Sequence, residues 1–454
     1  MKPRILTALF LAFSCYALAV CCAARASGLA TADDIRSSLA TYVQAYPHAA
    51  VVVGVVDGNN TRVFVASGTA VKGVIDEYSQ FQIGSITKTF TATLLAEMVQ
   101  AGEVALDDPI SKYLPAGVSA SSFGGKPITL RSLAEQNSGL PRLANNMRPA
   151  DPKNPYADYS TTQLYEFLSH YQLPRAPGAQ FEYSNLGVTL LGQLLANRKH
   201  TSYAKLLSAR VLRQLGMAHT TVIGNSTTRA RLVRGYTTGG SPQPPWDFGE
   251  LGAAGSIESD LHDMLVYLRA NMSAPDGKLG AAMALAQRPA RPVGLDGALQ
   301  IGLIWITNTR SGITWHNGET GGYHGFIGFD RAARHGVVVL ANVADMDVDQ
   351  IALHVLAPYV AAPQPPNAAS TEPSPYSGRY VFSPAFTITV FRIHGQLYAQ
   401  GTGQQPLPLV GVSGDVFAVR GVDARITFEV DASGVATALT LHQNGLDQHA
   451  TKSP

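Results

Sequence analysis

The sequence predicts an α+β protein whose antiparallel sheet is built from both ends of a large domain, followed by a small all-β, barrel-like domain. β-Branched runs occur near residue 50 and return after Leu299, and mostly helical, loop-rich sequence lies between them. This order favours one sheet completed by distant segments, with flanking helices and an all-helical region. From about residue 376 only short, closely spaced β runs occur, which is typical of a small barrel.

The first 26 residues are predicted to be a secretory signal peptide. Lys2 and Arg4 form a basic start, residues 5–22 are almost wholly apolar, and Ala24-Arg25-Ala26 has the small-x-small cleavage pattern. A membrane anchor is the alternative, but no second apolar run follows. We therefore expect an exported protein, periplasmic or secreted, with no stable membrane span after cleavage.

All three cysteines, Cys15, Cys21 and Cys22, lie in this segment. The mature chain would therefore have no disulfide, no cysteine nucleophile and no thiolate metal site. Lipoprotein anchoring through Cys21 is a less favoured alternative because Val20 precedes that cysteine.

The charge balance gives no indication of a nucleic-acid partner or an anionic-membrane partner. Removal of Lys2, Arg4 and Arg25 would leave 31 of the 34 basic residues against 32 acidic residues, a net charge near −1. Such a balance lacks the basic surface that those partners require.

The elements follow in a simple order. Asp33 and Asp34 open an amphipathic helix, and two β-branched runs around the turn residues 57–60 predict a hairpin. Residues 85–290 are mostly helical, and strands then return in "LQIGLIWITN", "GITWHNG", "YHGFIGFD" and "GVVVLAN" before a last helix in "DVDQIALHVLAPYVA".

A Pro-, Ala- and Ser-rich stretch, residues 361–375, predicts a linker between the domain at 27–360 and the β domain at 376–454. The β domain contains no cluster of catalytic residue types. It is therefore predicted to be an accessory or packing domain.

Ser85-Ile86-Thr87-Lys88 is the first candidate for nucleophilic chemistry. Gly84 precedes it and a helical apolar pattern follows, which places Ser85 at a helix N-terminus, where backbone N–H groups favour an oxyanion. Lys88 lies one turn on, and a desolvated lysine can serve as the base that a serine requires. A second S-x-x-K, at Ser202 and Lys205, lies in an ordinary amphipathic helix, so it is read as a chance match.

Two further motifs supply partners. Tyr183-Ser184-Asn185 precedes a helical pattern, so the Tyr183 hydroxyl could relay a proton and Asn185 could hold a substrate amide carbonyl together with Lys88. His316-Asn317-Gly318 lies on a predicted strand that could line an extended substrate. The N–H of Glu319 could complete an oxyanion hole with that of Ser85.

The chain resembles the penicillin-recognising serine hydrolases, which include class C β-lactamases, D-alanyl-D-alanine carboxypeptidases and related esterases, and S-x-x-K is a signature of this group. The resemblance runs through residues 30–360 and rests on "GSITKTFTA", "LDDPISKYLP", "ITLRSLAEQNSGLP", "PGAQFEYSNLGVTLLGQLL", "QLGM" and "HNGETGGYHGFIGFD". It implies a β-lactamase/transpeptidase-like fold, and the region after the linker resembles the lipocalin-like C-terminal domain of some members.

By this resemblance Ser85 is the acylated nucleophile, and Lys88 and Tyr183 share general acid/base catalysis, with the order of proton transfer left open. Asn185, His316, Gly318 and Glu319 would bind a small-molecule or peptide substrate, a β-lactam or a peptidoglycan stem peptide. A carboxylesterase and a non-catalytic peptidoglycan- or β-lactam-binding protein remain alternatives.

The chain has His316 and Asn317 where most members have K-T of the K-T-G motif. This change removes a permanent cation that would anchor a substrate carboxylate, and it keeps the peptidase and esterase interpretations open. An unperturbed histidine titrates near pH 6.5, so we expect substrate preference to depend on the charge of His316 if it contacts that carboxylate.

No metal or cofactor is predicted. His316, His324, His335 and His354 are scattered without paired ligand spacing, and His324 is interpreted as structural although it lies close to the predicted cleft in sequence. The glycine-rich residues 252–255 lack the K-[ST] of a nucleotide site.

Overall fold

A computed structural model gives the architecture of the chain. It describes residues 28–249, 251–293, 297–345, 347–360, 362, 374–383, 386–393, 396–401, 406–419, 424–443 and 446–453. The predicted signal peptide and most of the predicted linker lie outside the described residues. In this described part, no helix is both long enough and apolar enough to cross a membrane.

The chain divides into two compact units, a larger one within Ala24–Gln364 and a smaller one within Pro365–Pro454. The larger unit contains an eight-stranded sheet with strands β1 Ala50–Asp57, β2 Asn60–Ser67, β9 Arg291–Pro292, β10 Leu299–Ile301, β11 Ile306–Asn308, β12 Ile313–Glu319, β13 His324–Asp330 and β14 His335–Ala341. Their order in the sheet is β2-β1-β14-β13-β12-β11-β10-β9.

The two ends of the larger unit meet in this sheet, as the sequence predicts. β1 pairs antiparallel with β14, with Val51 opposite Ala341, although the two strands are far apart in the chain. The paired strands are valine-rich and buried, which is the composition expected of a central strand covered on both faces. The α+β fold expectation is confirmed.

Helices cover the sheet and form the region between its halves. They are α1 Ala32–Ala45, α2 Thr87–Gln100, α3 Leu130–Ala134, α4 Thr161–His170, α5 Asn185–Arg198, α6 Tyr203–Leu207, α7 Arg213–Leu215, α8 Ser226–Arg231, α9 Leu261–Ser273, α10 Lys278–Gln287 and α11 Asp347–Leu356. Three short ribbons accompany them, formed by β3 Phe81–Gln82 with β8 Glu258–Ser259, β4 Ser122–Phe123 with β5 Lys126–Pro127, and β6 Gly235–Tyr236 with β7 Pro242–Gln243.

Local sequence determines where the helices begin, and packing in the core stabilises the helical residues between their ends. Thr31 forms a capping box with Asp34 at the start of α1, which confirms the predicted acidic first turn. α2 is buried along almost its whole length, and its Phe90 ring stacks on Tyr267 of α9 at 3.8 Å between centroids. The residues after Ser85 are therefore held in the centre of the core.

The smaller unit is an eight-stranded antiparallel barrel in which the last strand pairs with the first. The strands are β15 Gly378–Ser383, β16 Phe386–Ile393, β17 Gln396–Gly401, β18 Pro406–Ser413, β19 Val416–Val419, β20 Ala424–Val430, β21 Ala436–Gln443 and β22 Leu446–Lys452. Tyr380, Phe428 and Leu439 are among the side chains of its core. The barrel-like expectation is confirmed.

Candidate active site

Ser85 lies in a 3₁₀ turn, Gly84–Ile86, that leads directly into α2. The preceding strand β3 pairs with β8, so both sides of the turn are anchored. Gly84 has a φ of +50°, a conformation that glycine adopts without the steric cost of a side chain. Ser85 is therefore presented at a helix start, as its sequence context predicts.

Lys88 is completely buried one turn further along. Its Nζ is hydrogen-bonded to Ser85 Oγ at 2.7 Å and donates to the carbonyl oxygen of Ala254 at 2.6 Å. Burial lowers the pKa of Lys88 well below that of a free lysine, and the nearby Arg142 charge lowers this pKa further. The environment thus favours the neutral amine, which is the form that can accept a proton.

Tyr183 completes the group around the serine hydroxyl, to which its own hydroxyl is hydrogen-bonded. Lys88 Nζ lies 5.0 Å from the centre of its ring, and Arg142 Cζ lies 5.2 Å from the same centre. Burial raises the pKa of Tyr183 to about 12, against the opposing effects of Ser85 and Arg142. The phenol is therefore protonated near neutral pH and can pass a proton on.

Asn185 is the first residue of α5, directly after the helix cap that Ser184 provides. Its Nδ2 donates to the Tyr156 hydroxyl at 3.0 Å, rather than making the expected contact with Lys88. Its Oδ1 is buried and accepts no hydrogen bond from the residues that the structure describes. Since a buried acceptor without a partner is costly, this oxygen is a strong candidate to accept an N–H from a bound molecule.

Strand β12 packs its backbone directly on the Ser85 turn. A Cβ on Gly318 would lie 2.1 Å from the Ile83 carbonyl oxygen and 2.7 Å from the Ser85 nitrogen. A Cβ on Gly84 would lie 2.5 Å from the Glu319 nitrogen. Glycine at both positions allows this close approach of the two backbones. The backbone amides of Ser85 and Glu319 therefore both lie where β12 contacts the turn.

His316 lies on β12 with only 1% of its surface exposed. Its ring centre is 6.4 Å from that of Tyr183, and its Nδ1 lies 2.5 Å from the Asn317 carbonyl oxygen. Burial lowers the pKa of His316 to about 3. The expectation of a titration near pH 6.5 is therefore wrong, because burial keeps the imidazole neutral.

His324 belongs to a buried ionic network behind the end of β12. Its Nε2 lies 2.8 Å from Asp349 Oδ1 and its Nδ1 lies 3.2 Å from Glu319 Oε2, while Asn317 Nδ2 donates to Asp349 Oδ2 at 2.6 Å. Burial alone would lower the pKa of His324, but Asp349 and Glu319 raise it to about 10. The imidazolium and Asp349 together fix β12 from Asn317 to Glu319.

With this geometry in place, comparison with known proteins identifies the family. The profile of the beta-lactamase family matches residues 35–359, most of the chain. The chain belongs to the beta-lactamase family. Residues 362–452 of this family member match a second profile, a domain of unknown function named DUF3471.

Curated relatives of this beta-lactamase family member include carboxypeptidases. Protein flp of Staphylococcus aureus strain MRSA252 is 25% identical over 305 residues, which cover 65% of this chain and 60% of that protein. The D-alanyl-D-alanine-carboxypeptidase/endopeptidase AmpH of Escherichia coli K12 is 36% identical over 184 residues, 39% of this chain and 46% of that protein. The matched regions thus span about half of these relatives' length.

Solved structures agree on the fold. The D-alanine carboxypeptidase AmpC of Burkholderia cenocepacia superposes with a TM-score of 0.59 at 25% identity, covering 72% of this chain and 99% of that one. A class C beta lactamase of Rhodobacter sphaeroides superposes with a TM-score of 0.60 at 21% identity, covering 72% and 97%. The named activities among these relatives and structural neighbours are those of class C beta-lactamases and D-alanyl-D-alanine carboxypeptidases.

Sequence reasoning missed several residues of the site. Arg142, directly after "NSGLP", Tyr156 and Asp349 carry no local signal, because their roles depend on partners far away in the chain. Ala254 lies in the glycine-rich loop that lacked a nucleotide motif, and its carbonyl holds Lys88. At the second S-x-x-K, Ser202 caps α6 and the side chain of Lys205 is exposed.

Proposed function

We propose that the chain is a serine hydrolase that acts through an acyl-enzyme on β-lactams or D-Ala-D-Ala-type peptides. The observation that carries this proposal is the 2.7 Å contact between Ser85 Oγ and the buried amine of Lys88. A serine paired with a neutral amine at a helix start has both the base and the electrostatic environment that acyl transfer requires.

Acylation begins when neutral Lys88 accepts the proton of Ser85 as Oγ attacks the substrate carbonyl carbon. The backbone N–H groups of Ser85 and Glu319 donate to the developing oxyanion, which collapses as the bond to the leaving group breaks. Tyr183, still protonated, donates its proton to the leaving nitrogen and regains one from Lys88. Water then hydrolyses the acyl-enzyme by the reverse route.

The substrate is held in part by Asn185, whose Oδ1 has no hydrogen-bond donor among the described residues. Asn185 Oδ1 accepts the N–H of a substrate amide, which accounts for its burial without a described donor. Beside it lies a mainly apolar recess that includes Leu143, Met147, Tyr156 and Phe248. This recess suits an apolar part of an acyl side chain.

A carboxylesterase is the second candidate, and the neutral state of His316 favours it. K-T-G members have a permanent cation where this chain has an imidazole whose pKa lies far below neutral. A neutral ester therefore loses nothing at this position, whereas a substrate carboxylate finds no charge on His316. The two candidates share the same acyl-enzyme chemistry and differ in the leaving group.

Three substrates and one label separate the candidates. Steady-state rates are measured on a D-Ala-D-Ala peptide, a chromogenic cephalosporin and a p-nitrophenyl ester, with Ser85→Ala as control. The proposal expects turnover of the peptide or the cephalosporin, and ester turnover alone makes the chain an esterase. A fluorescent penicillin that stays bound without turnover of any substrate indicates a binding protein and contradicts the hydrolase.

Two further expectations belong to this proposal. We infer that the protein is exported, because the sequence of residues 5–22 has the composition of a signal peptide core. The barrel would be a lipocalin-like accessory domain, since the catalytic groups described above all lie in the larger unit. Protein stopped near Ala362 should then keep ester hydrolysis, and loss of all activity in a folded fragment would contradict this division.

A further inference from the structure

Four metal-ligating side chains meet at the start of α9, apart from the serine site. His219 lies in the loop after α7, Asp260 caps α9, and His262 and Asp263 lie in its first turn. One ligand atom from each residue lies within 4.8 Å of all the others. Sequence reasoning missed this group because His219 is separated from the other three by some forty residues.

The spacing of these atoms suits a small divalent cation. His219 Nδ1 lies 2.9 Å from Asp260 Oδ2 and 4.0 Å from Asp263 Oδ1, and His262 Nδ1 lies 3.3 Å from Asp263 Oδ1. Four ligands at about 2.0–2.2 Å in a tetrahedron are roughly 3.4 Å apart. The observed distances bracket that value, so small side-chain rotations would complete the coordination.

The charges of the group call for a cation. The Asp260 and Asp263 side chains are each only 1% exposed, whereas the side chains of His219 and His262 are 46% and 45% exposed. Two carboxylates are therefore buried side by side beneath two half-exposed imidazoles. A divalent ion between them would neutralise both carboxylates and would be reached from the solvent side.

The surrounding residues already orient the ligands. Asp260 Oδ1 accepts from the Asp263 backbone N–H at 2.9 Å, and Gln80 Nε2 donates to Asp260 Oδ2 at 3.2 Å. Asp263 Oδ2 accepts from the His219 backbone N–H and from Thr220 Oγ1, both at 2.8 Å. The remaining oxygen, Asp263 Oδ1, faces the two imidazoles, as expected where outer-shell bonds fix metal ligands.

The two imidazoles also pack against the ring of Tyr78. The Tyr78 ring lies 5.6 Å from that of His219 and 5.3 Å from that of His262, measured between centroids. Packing of this kind restricts ring rotation and keeps both nitrogens near the carboxylates. The group is thus largely preorganised.

We propose that His219, Asp260, His262 and Asp263 form a structural binding site for one Zn²⁺ ion. Two imidazole nitrogens and two carboxylate oxygens are a donor set that zinc accepts, and four protein ligands leave no open position for catalysis. The ion would link the loop after α7 to the start of α9. The ion would also anchor the ribbon of β3 and β8 that leads to Ser85. Asp260 directly follows β8, and it accepts a hydrogen bond from Gln80, which precedes β3.

Zinc binding by the full chain without a histidine tag tests the site directly. Chelator-treated protein is titrated with ZnCl₂ by calorimetry, and bound zinc is measured after dialysis. The site predicts one Zn²⁺ per chain and a melting temperature that rises with zinc concentration. Failure to bind zinc at concentrations on the order of micromolar would overturn the proposal.

Matched variants assign the binding to this group. His219→Ala/His262→Ala should weaken zinc binding by at least about 100-fold, since even outer-shell changes cost 10–100-fold. His335→Ala is the control, because His335 pairs with a single carboxylate, Asp57, at 3.5 Å, and this variant should bind like the unmodified chain. Equal binding by the double variant would place the zinc elsewhere and overturn the proposal.

A third measurement needs no variant, so it stands even if the double variant fails to fold. Co²⁺ in place of Zn²⁺ gives intense visible absorption only in a tetrahedral site, and Zn²⁺ should displace it. A weak octahedral spectrum would contradict the four-ligand site. Each readout is independent of hydrolysis, so the zinc site and the proposed activity can fail separately.

Discussion

Lys88 Nζ lies 2.7 Å from Ser85 Oγ in a position where the amine has no contact with solvent. Burial lowers the pKa of this amine, and the positive charge of Arg142 lowers it further. The carbonyl oxygen of Ala254 accepts a further hydrogen bond from the amine and fixes its position. The serine is therefore paired with a base whose pKa depends on the exclusion of water and on the charge of Arg142.

The acid limb of the pH profile should move when Arg142 is changed. Lys88 must be unprotonated to act as a base, so kcat/KM falls as pH drops below its pKa. Arg142→Gln removes a repelling charge and raises this pKa, so the acid limb should shift to higher pH, with several-fold lower kcat/KM on the acid side. Arg142→Lys retains the charge and should shift the limb less. An unmoved limb in Arg142→Gln would mean that the titrating base is not Lys88.

Tyr183→Phe should slow acyl transfer by about 10²- to 10⁴-fold, the usual contribution of a positioned acid or base. The ring would remain beneath Lys88 and Arg142, so folding and binding should be kept. Because the pKa of Tyr183 is raised to about 12, no alkaline limb from this phenol should occur below about pH 10. Pre-steady-state acylation rates measure the effect, and rates within a few-fold of the unmodified enzyme would remove Tyr183 from the relay.

Substrate preference should not depend on pH through His316. Its pKa of about 3 keeps it neutral between about pH 5 and 8. The ratio of kcat/KM for a carboxylate-bearing peptide to that for a neutral ester should therefore be flat over this range, since the shared base cancels. A ratio that rises toward acid with a midpoint near pH 6.5 would show a solvated, titrating His316. His316→Gln, which is neutral at every pH, is the control.

Asp349→Asn should destabilise the protein and impair the site together. Removing one partner of a buried ion pair costs about 3–5 kcal/mol, and a displaced oxyanion donor at Glu319 could cost up to about 100-fold in kcat. The pKa of His324 is raised to about 10, so its stabilisation is complete below its unfolded pKa of 6.5 and is lost as pH rises through about 10.

Denaturant unfolding as a function of pH measures the effect of Asp349. Stability of the unmodified protein relative to Asp349→Asn should be greatest near pH 6 and decline toward pH 10 as the imidazolium deprotonates. A difference that is independent of pH would show that His324 is neutral in the folded protein. The exposed pair His442 and Asp447 offers a control, because Asp447→Asn should change stability by no more than about 1 kcal/mol.

Sequence patterns predicted the parts of the molecule that depend on neighbouring residues. The glycine and the helical pattern around Ser85 predicted that this residue lies at the start of a helix. The β-branched runs predicted the strands β1 and β14. Side-chain contacts between distant segments could not be predicted in this way. Arg142 reaches Lys88 and Tyr183 only in the folded chain, and Asn185 contacts Tyr156 rather than Lys88.

Burial was the second quantity that sequence could not supply. The sequence shows only that His316 lies on a predicted strand. The packing of β12 on the Ser85 turn shows that its imidazole is buried and therefore neutral. His219 and His262 likewise form a pair only because the loop after α7 meets the start of α9. Their separation in the chain hides the spacing typical of metal ligands.

The central claim is that Ser85, activated by Lys88, is the residue that becomes acylated. The most direct test is peptide mass spectrometry after incubation with a fluorophosphonate or a β-lactam. A single adduct on the peptide that contains Ser85 is expected, absent in Ser85→Ala, strongly reduced in Lys88→Arg because a guanidinium cannot accept the proton, and unchanged in Ser202→Ala. An adduct that persists in Ser85→Ala, or that lies on Ser202, would contradict the assignment.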